Sequence, residues 1–404
     1  MPATAEKARI LSDRIQELAE SQTIAMAKKA RELAATGADV INLSFGEPDF
    51  QTPKHIKEAA KQAIDQGYTF YTPVAGYADL RAAIAEKLNR ENNLPYKAEN
   101  IVVSTGAKQA IINAVLCLVN PGDEVIIFSP YWVSYEEMVK LAEGVSVPVM
   151  GDIENAYKVT AKQFEEAITP RTKLVMYSSP NNPTGSVFSQ EELAAFADVL
   201  ERHPDIYVIA DEIYEYINFT GAHHSLGNFE KIRDRVITVN GFSKGFAMTG
   251  WRVGYLAATK EIADACDKMQ SQFTSATCSI AQRAALAAVQ GPRDSANDMA
   301  NAYKRRRDLV LKLLKDIPGI KTYIPEGAFY IFPDVSDYFG KSDGKTTIKD
   351  SADLAMYLLN DAYVSLVSGD GFGAPDCIRF SFAASDEKLK EAVGRIKKSL
   401  AKLK

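Results

Sequence analysis

Lys244 is the residue best spelled to act as a nucleophile. It closes the run TVNGFSK just past a β-branched, apolar stretch from Val236 to Val239, with glycines at 245, 250 and 254. Ser243 precedes it, and Arg252 lies a short way downstream in the same run. An amine at a strand end can attack a carbonyl carbon, and a hydroxyl and a guanidinium nearby suit a phosphate held beside that carbonyl. A surface lysine in a glycine-rich loop would be spelled the same way, so the assignment depends on what other junctions bring to it.

Four such junctions precede it. IVVS (101–104) runs into Thr105-Gly106-Ala107-Lys108 and then a helical stretch, QAIINAVLCLV. EVIIF (124–128) runs into Ser129-Pro130-Tyr131-Trp132, and KLVMY (173–177) into SSPNNPTG, which carries Asn182. IYVIA (206–210) runs into Asp211-Glu212-Ile213-Tyr214. Short apolar runs alternating with helices predict an α/β fold whose mostly parallel sheet is buried on both faces. Ligands bind beyond the carboxyl ends of such strands. Lys108, Trp132, Asn182, Asp211, Tyr214 and Lys244 are therefore expected along one rim. The amides at the Gly106-Ala107 helix start make an anion cradle.

The flanking stretches read differently. Residues 6–36 have helical spacing ending at Gly37, and VINLSFGEPDF (40–50) reads as a short strand and a turn at Gly46 and Pro48. Past about residue 295 come a charged helix (297–314), two strands in GIKTYIPEGAFYIFPDV, a helix (351–362), and the strands AYVSLV and CIRFSFA. In the last helix Leu389, Val393, Ile396, Leu400 and Leu403 share one face.

Composition narrows the function. The 404 residues are 46% hydrophobic with a net charge of −5, enough for a large core and no basic field for nucleic acid. Cys117, Cys266, Cys278 and Cys377 are scattered, which argues against a disulfide framework or zinc cluster and for a reducing, cytoplasmic setting. His223-His224 lacks the spacing of a helical metal site. MPATAEKARI has no signal-peptide pattern, and no apolar run is long enough to span a bilayer. Neither GxGxxG nor the GxxxxGK[ST] phosphate loop occurs, which removes a nicotinamide dehydrogenase.

Taken together, FGEPDF, YTPVAGYADLR, STGAKQAI, SPYW, SPNNPTG, ADEIY, SKGFAMTGWRVGY and IRFS closely resemble the class I/II pyridoxal-phosphate (PLP) aminotransferases, specifically the bacterial aspartate aminotransferase subgroup. The resemblance covers roughly residues 35–385. It implies the PLP-dependent transferase fold type I, with a large, mostly parallel seven-stranded sheet domain (46–295) and a smaller α+β domain formed by 1–45 together with 296–404. Lys244 would bond the cofactor aldehyde and move the substrate proton. Asp211 would pair with the pyridine nitrogen, Tyr214 and Asn182 with the ring hydroxyl oxygen, and Trp132 would stack on the ring. Gly106, Ala107, Lys108, Ser243 and Arg252 would surround the phosphate, with Tyr71 reaching in from a second subunit, which implies a homodimer. Gly241 is a departure, since some subgroups have a serine there.

For substrate, Arg379 would fork onto the α-carboxylate and Lys108 contact the distal one, with Gly46 on a segment that closes over them. The implied reaction is ping-pong transfer of the amino group of L-aspartate to 2-oxoglutarate, giving oxaloacetate and L-glutamate. The alternatives are an aminotransferase for aromatic amino acids or prephenate and, outside enzymes, a PLP-binding sensor or scaffold.

Overall fold

The computed structural model describes residues 10–404, so most of the N-terminal stretch read for a signal peptide, and the first residues of the expected N-terminal helix, lie outside the described residues. Twelve named strands occur among them. β1 is Ile41–Asn42, β2 Ile101–Ser104, β3 Glu124–Ser129, β4 Val145–Met150, β5 Thr172–Ser178, β6 Tyr207–Asp211, β7 Val236–Gly241 and β8 Gly254–Ala257. Then follow β9 (Tyr330–Ile331), β10 (Val364–Ser365), β11 (Val367–Ser368) and β12 (Ile378–Ser381).

A seven-stranded sheet has the order β2-β8-β7-β6-β5-β3-β4. It is parallel except for β8, which runs antiparallel to both neighbours. Successive side chains along a strand point to opposite faces. Val125, Ile127, Leu174, Met176 and Ile209 accordingly enter one buried cluster with the helix Ala107–Leu118. Ile126, Phe128, Val175, Tyr177 and Val208 enter another with the helix Gln190–Arg202. Covering both faces leaves the strand ends as the places where polar groups can meet a ligand.

A separate buried cluster joins the chain's two ends. Met26 and Leu43 pack with Tyr303, Val310, Phe329, Leu358 and Phe380, and with Leu389, Val393, Ile396 and Leu400 of the last helix. Leu403 is buried too, just beyond the turn that follows that helix. Arg306 on the helix Asp294–Leu314 forks onto both oxygens of Asp49 at 2.7 and 2.9 Å, anchoring the FGEPDF segment. β9 pairs with β12, β12 with β11, and β1 with β10.

The structure corrects several sequence expectations. The single N-terminal helix is two, Asp13–Glu17 and Gln22–Ala35, interrupted at residues 18–21. The two strands expected in 319–335 reduce to β9 plus the isolated bridges Lys321–Asp334, Asn218–Gly327 and Asp334–Cys377, because Pro325, Gly327 and Pro333 interrupt the ladder. AYVSLV splits at Leu366, since β10 pairs with β1 while β11 pairs with β12. β4 and β8 were not anticipated. β4 contains Pro148 and is partly exposed on the sheet edge, where a strand can spare a donor. β8 lies within the glycine-rich run, where its four residues do not stand out.

Candidate active site

Five strand ends meet at a cavity of about 250 Å³. β7 leads to Ser243 and Lys244, β6 to Asp211 and Tyr214, β5 to Asn182, β3 to Trp132, and β2 to Ala107 and Lys108. Gly46, Arg252, Tyr330 and Arg379 also line it, with Ser21, Thr23 and Ile24 among others. The rim expected from the sequence is thus present.

Lys244 is half-buried and donates from Nζ to the Gly46 carbonyl at 2.6 Å. Burial pulls its pKa from 10.5 to about 8; Arg379 and Arg252 push the same way, against Glu47 and Asp211. Asp211 is buried at the end of β6, where Oδ2 accepts from the Tyr135 hydroxyl at 2.8 Å and Oδ1 from the Ile213 amide at 3.2 Å. Burial raises its pKa to about 6, although those hydrogen bonds favour the anion. A cation seated against it would restore the ionised form. Tyr214 shares a 2.7 Å hydrogen bond with the hydroxyl of Tyr330, and burial lifts it well above the phenol range.

At one end of the cavity the helix Ala107–Leu118 begins at Gly106, which has φ +82°. A Cβ there would sit 2.5 Å from Arg252 Nη2, so the guanidinium is packed directly against the helix start. Arg252 itself adopts φ +54°, donating to the Thr249 carbonyl at 3.0 Å. Lys108 lies 5.3 Å from the Trp132 ring centre, and burial together with Arg252 lowers its pKa.

At the other end Arg379 is buried on β12. It donates to Asn182 Oδ1 at 2.9 Å and to the Ser44 carbonyl at 2.6 Å, while its Nε has no partner among the described residues. The Tyr330 ring covers the guanidinium, with centre and carbon 4.6 Å apart. No carboxylate among the described residues pairs with Arg379, so its charge is available to a ligand acid.

Tyr71 is the exception to this convergence. It is 98% exposed and lies away from the cavity, beside Phe70, Thr72 and Cys278. Tyr135, Tyr330, Ser21 and Thr23 were missed by sequence reasoning. Tyr135 lies in the same short stretch as Trp132, the one available signal; Tyr330, Ser21 at the helix break and Thr23 just past it carried none.

The lining suits a phosphorylated, ring-bearing cofactor with acidic substrates. Lys108, Lys244, Arg252 and Arg379 face it against a single lining carboxylate among the described residues, Asp211. Such a surplus attracts anions.

Comparison with known proteins agrees. A family model described as aminotransferase class I and II matches residues 38–396. The chain is 48% identical to the aspartate/prephenate aminotransferase of Cereibacter sphaeroides, covering 96% of this chain and 97% of that one. The aspartate aminotransferase structure from Rhizobium meliloti superposes with a TM-score of 0.94 at 40% identity, over 98% of this chain and 99% of that chain. That of Thermus thermophilus aspartate aminotransferase with maleate superposes at 0.91 and 43%, over 97% and 100%.

Proposed function

This chain belongs to the class I and II aminotransferases, and on that premise we propose that it moves the amino group of L-aspartate to 2-oxoglutarate, yielding oxaloacetate and L-glutamate. The family uses PLP, which when bound supplies an aldehyde for amine exchange and a ring that withdraws electrons from the substrate Cα.

The side chains here divide that work. Lys244 would bond the cofactor aldehyde through Nζ and would carry the substrate Cα proton; its lowered pKa keeps a useful fraction neutral near pH 7. Asp211 holds the ring nitrogen in its protonated state by a charge-assisted hydrogen bond. Tyr214 and Asn182 hold the ring hydroxyl oxygen, and Trp132 covers a ring face. Arg252, Ser243 and the Gly106-Ala107 amides hold the phosphate. Arg379 receives the α-carboxylate in both halves of a ping-pong cycle, and Lys108 receives the distal one.

The observation that carries this reading is the lining itself: one carboxylate faces two lysines and two arginines. Tyr71 and Phe70, 98% and 82% exposed, support a homodimer in which Tyr71 completes the partner's phosphate site. The buried cluster uniting both chain ends supports a small unit of 1–45 with 296–404 beside a large unit of 46–295. Four free cysteines suit a cytoplasmic setting. Among the described residues no helix is long and apolar enough to cross a membrane.

A second reading, prephenate amination, draws on the Cereibacter sphaeroides relative's name. A panel with aspartate, phenylalanine and glutamate as donors and 2-oxoglutarate and prephenate as acceptors separates the two. Highest kcat/KM for aspartate with 2-oxoglutarate supports the proposal, and no turnover with aspartate ends it. Lys108→Ala is expected to cost aspartate about tenfold more than phenylalanine, the scale of one charge-assisted contact. Equal losses would remove Lys108 from the distal-carboxylate role.

A further inference from the structure

We propose that Glu215, outside the cavity, is a positioning residue that holds the turn carrying Asp211 and Tyr214 against the loop carrying Lys244. This rests on the PLP reading above.

The need for such a residue follows from where the sheet stops. The β6–β7 ladder ends at the pair Asp211–Val239, with one further bond from the Glu212 amide to the Val239 carbonyl at 2.8 Å. Beyond it the two chains separate, one toward Tyr214 and the other toward Ser243-Lys244. Asn240 bridges them, donating from Nδ2 to Glu215 Oε2 at 2.6 Å while its Oδ1 accepts from the Gly241 amide at 2.7 Å.

Glu215 is also fixed from a third direction. Lys87 Nζ reaches both carboxylate oxygens at 2.5 Å and Asn92 Nδ2 reaches Oε1 at 3.1 Å, both from the helix Ala78–Asn92. Glu91 stands 3.7 Å from Lys87, and Glu212 pairs with His223 at 2.9 Å close by. Glu215, Lys87, Asn92 and Asn240 are all buried, and none lines the cavity. A buried ion pair is a poor source of stability, because desolvation offsets its attraction. A carboxylate offers what an apolar side chain cannot: acceptor sites for three donor side chains on two elements at once, aimed at fixed angles. The result is a brace behind the site that sets the Lys244 amine relative to Asp211 and Tyr214.

The test uses the PLP-loaded enzyme and two variants. Glu215→Gln keeps the volume but turns one acceptor into a donor facing donors. Asn240→Ala cuts the link between the loops and leaves the Lys87–Glu215 pair in place. The readouts are the pH titration of the visible band of the lysine-bound cofactor, kcat and KM, and the thermal midpoint. Each variant is expected to move the band's apparent pKa by about half a unit or more, a displacement large against ordinary fitting error. kcat should fall about tenfold with KM nearly unchanged, the pattern of a lost transition-state arrangement. The double variant should shift the band no further than the larger single one, as expected of residues in one network.

A band that titrates like the parent's while only the thermal midpoint falls makes Glu215 merely structural and overturns the inference. If Glu215→Gln does not fold, Asn240→Ala decides alone, by the same band. Parent protein that gains no visible band with PLP overturns the cofactor reading, and this inference with it.

Discussion

The two walls of the cavity are built in different ways. One consists of strand ends: Ala107-Lys108 follows β2, Asp211 ends β6, and Ser243-Lys244 follows β7. Its groups inherit their spacing from a continuous ladder buried on both faces. The other wall brings Tyr330 and Arg379 from strands of two and four residues, Gly46 from the segment after β1, Ser21 from the helix interruption and Thr23 from the first turn of the helix Gln22–Ala35. Side-chain bonds pin that wall, as in Arg306 to Asp49 and Arg379 to Asn182. A ladder resists displacement more than a few side-chain bonds do. On the roles proposed above, bond-making chemistry falls to the first wall and capture of the α-carboxylate to the second, with Lys108 the one first-wall group assigned to a substrate carboxylate; variants at the other positions should split accordingly between kcat and KM.

The largest effect should come from the first wall. Lys244→Ala removes both the bond to the cofactor and the proton carrier, and turnover should fall by about 10⁴-fold for every substrate. Stopped-flow absorbance measures it, and residual turnover within tenfold of the parent would remove Lys244 from its role. Asp211→Asn comes next. It keeps the shape and the Tyr135 contact but cannot hold a cation, so kcat should drop about 10²–10³-fold, the scale of one lost electrostatic stabiliser. A variant that loses KM alone would break the division between the walls.

The same division marks what could be read from the sequence. The first wall was legible because each buried strand is a short apolar run ending abruptly in polar or glycine residues: IVVS before Thr105, IYVIA before Asp211, VITV before Asn240. Those junctions gave the α/β sheet and the side chains that meet in the cavity. The second wall hid most of its members. Tyr330 lies in GAFYIF, whose aromatics spell a core strand, and its hydroxyl reaches the site only because β9 and β12 pair as they do. Ser21 ends the helix interruption and Thr23 lies in the first turn of the helix that follows, yet residues 18–21 carry neither proline nor glycine to announce a break. Arg379 was found by motif, but its hold on Asn182, far away in sequence, depends on tertiary packing. Tyr135 was missed even on the first wall, since tyrosines of a buried cluster look alike in sequence until one hydroxyl finds a carboxylate.

A milder change probes the second wall. Arg379→Lys keeps the charge but loses the planar fork that meets a carboxylate with two parallel bonds. The expected loss is about 1.5–3 kcal/mol, roughly 10–100-fold in kcat/KM, appearing mainly as a higher KM. Aspartate and phenylalanine should suffer alike, since both carry an α-carboxylate. Steady-state kinetics on both amino acids checks this, and an unchanged KM with a fallen kcat would place Arg379 functionally with the first wall.

The smallest effect tests whether the walls are electrically joined. Burial lowers the Lys244 pKa from 10.5 to about 8, and two second-wall charges act on it in opposite senses: Glu47 raises it and Arg379 lowers it. Only the neutral amine attacks an aldehyde. Below the pKa the cation predominates, so the rate at which cofactor-free protein combines with PLP should climb about fivefold from pH 7 to 8 and level off above pH 9. An ordinary lysine would still gain about tenfold per unit through that range. Glu47→Gln removes the larger of two carboxylates that favour the cation, so the midpoint should move below that of the parent, whereas Arg379→Lys preserves the charge and should leave it in place. Stopped-flow absorbance across the pH range reads both. Should Glu47→Gln leave the midpoint unmoved, the second wall does not tune the nucleophile, and only the hydrogen bond from Lys244 to the Gly46 carbonyl would couple it to that amine.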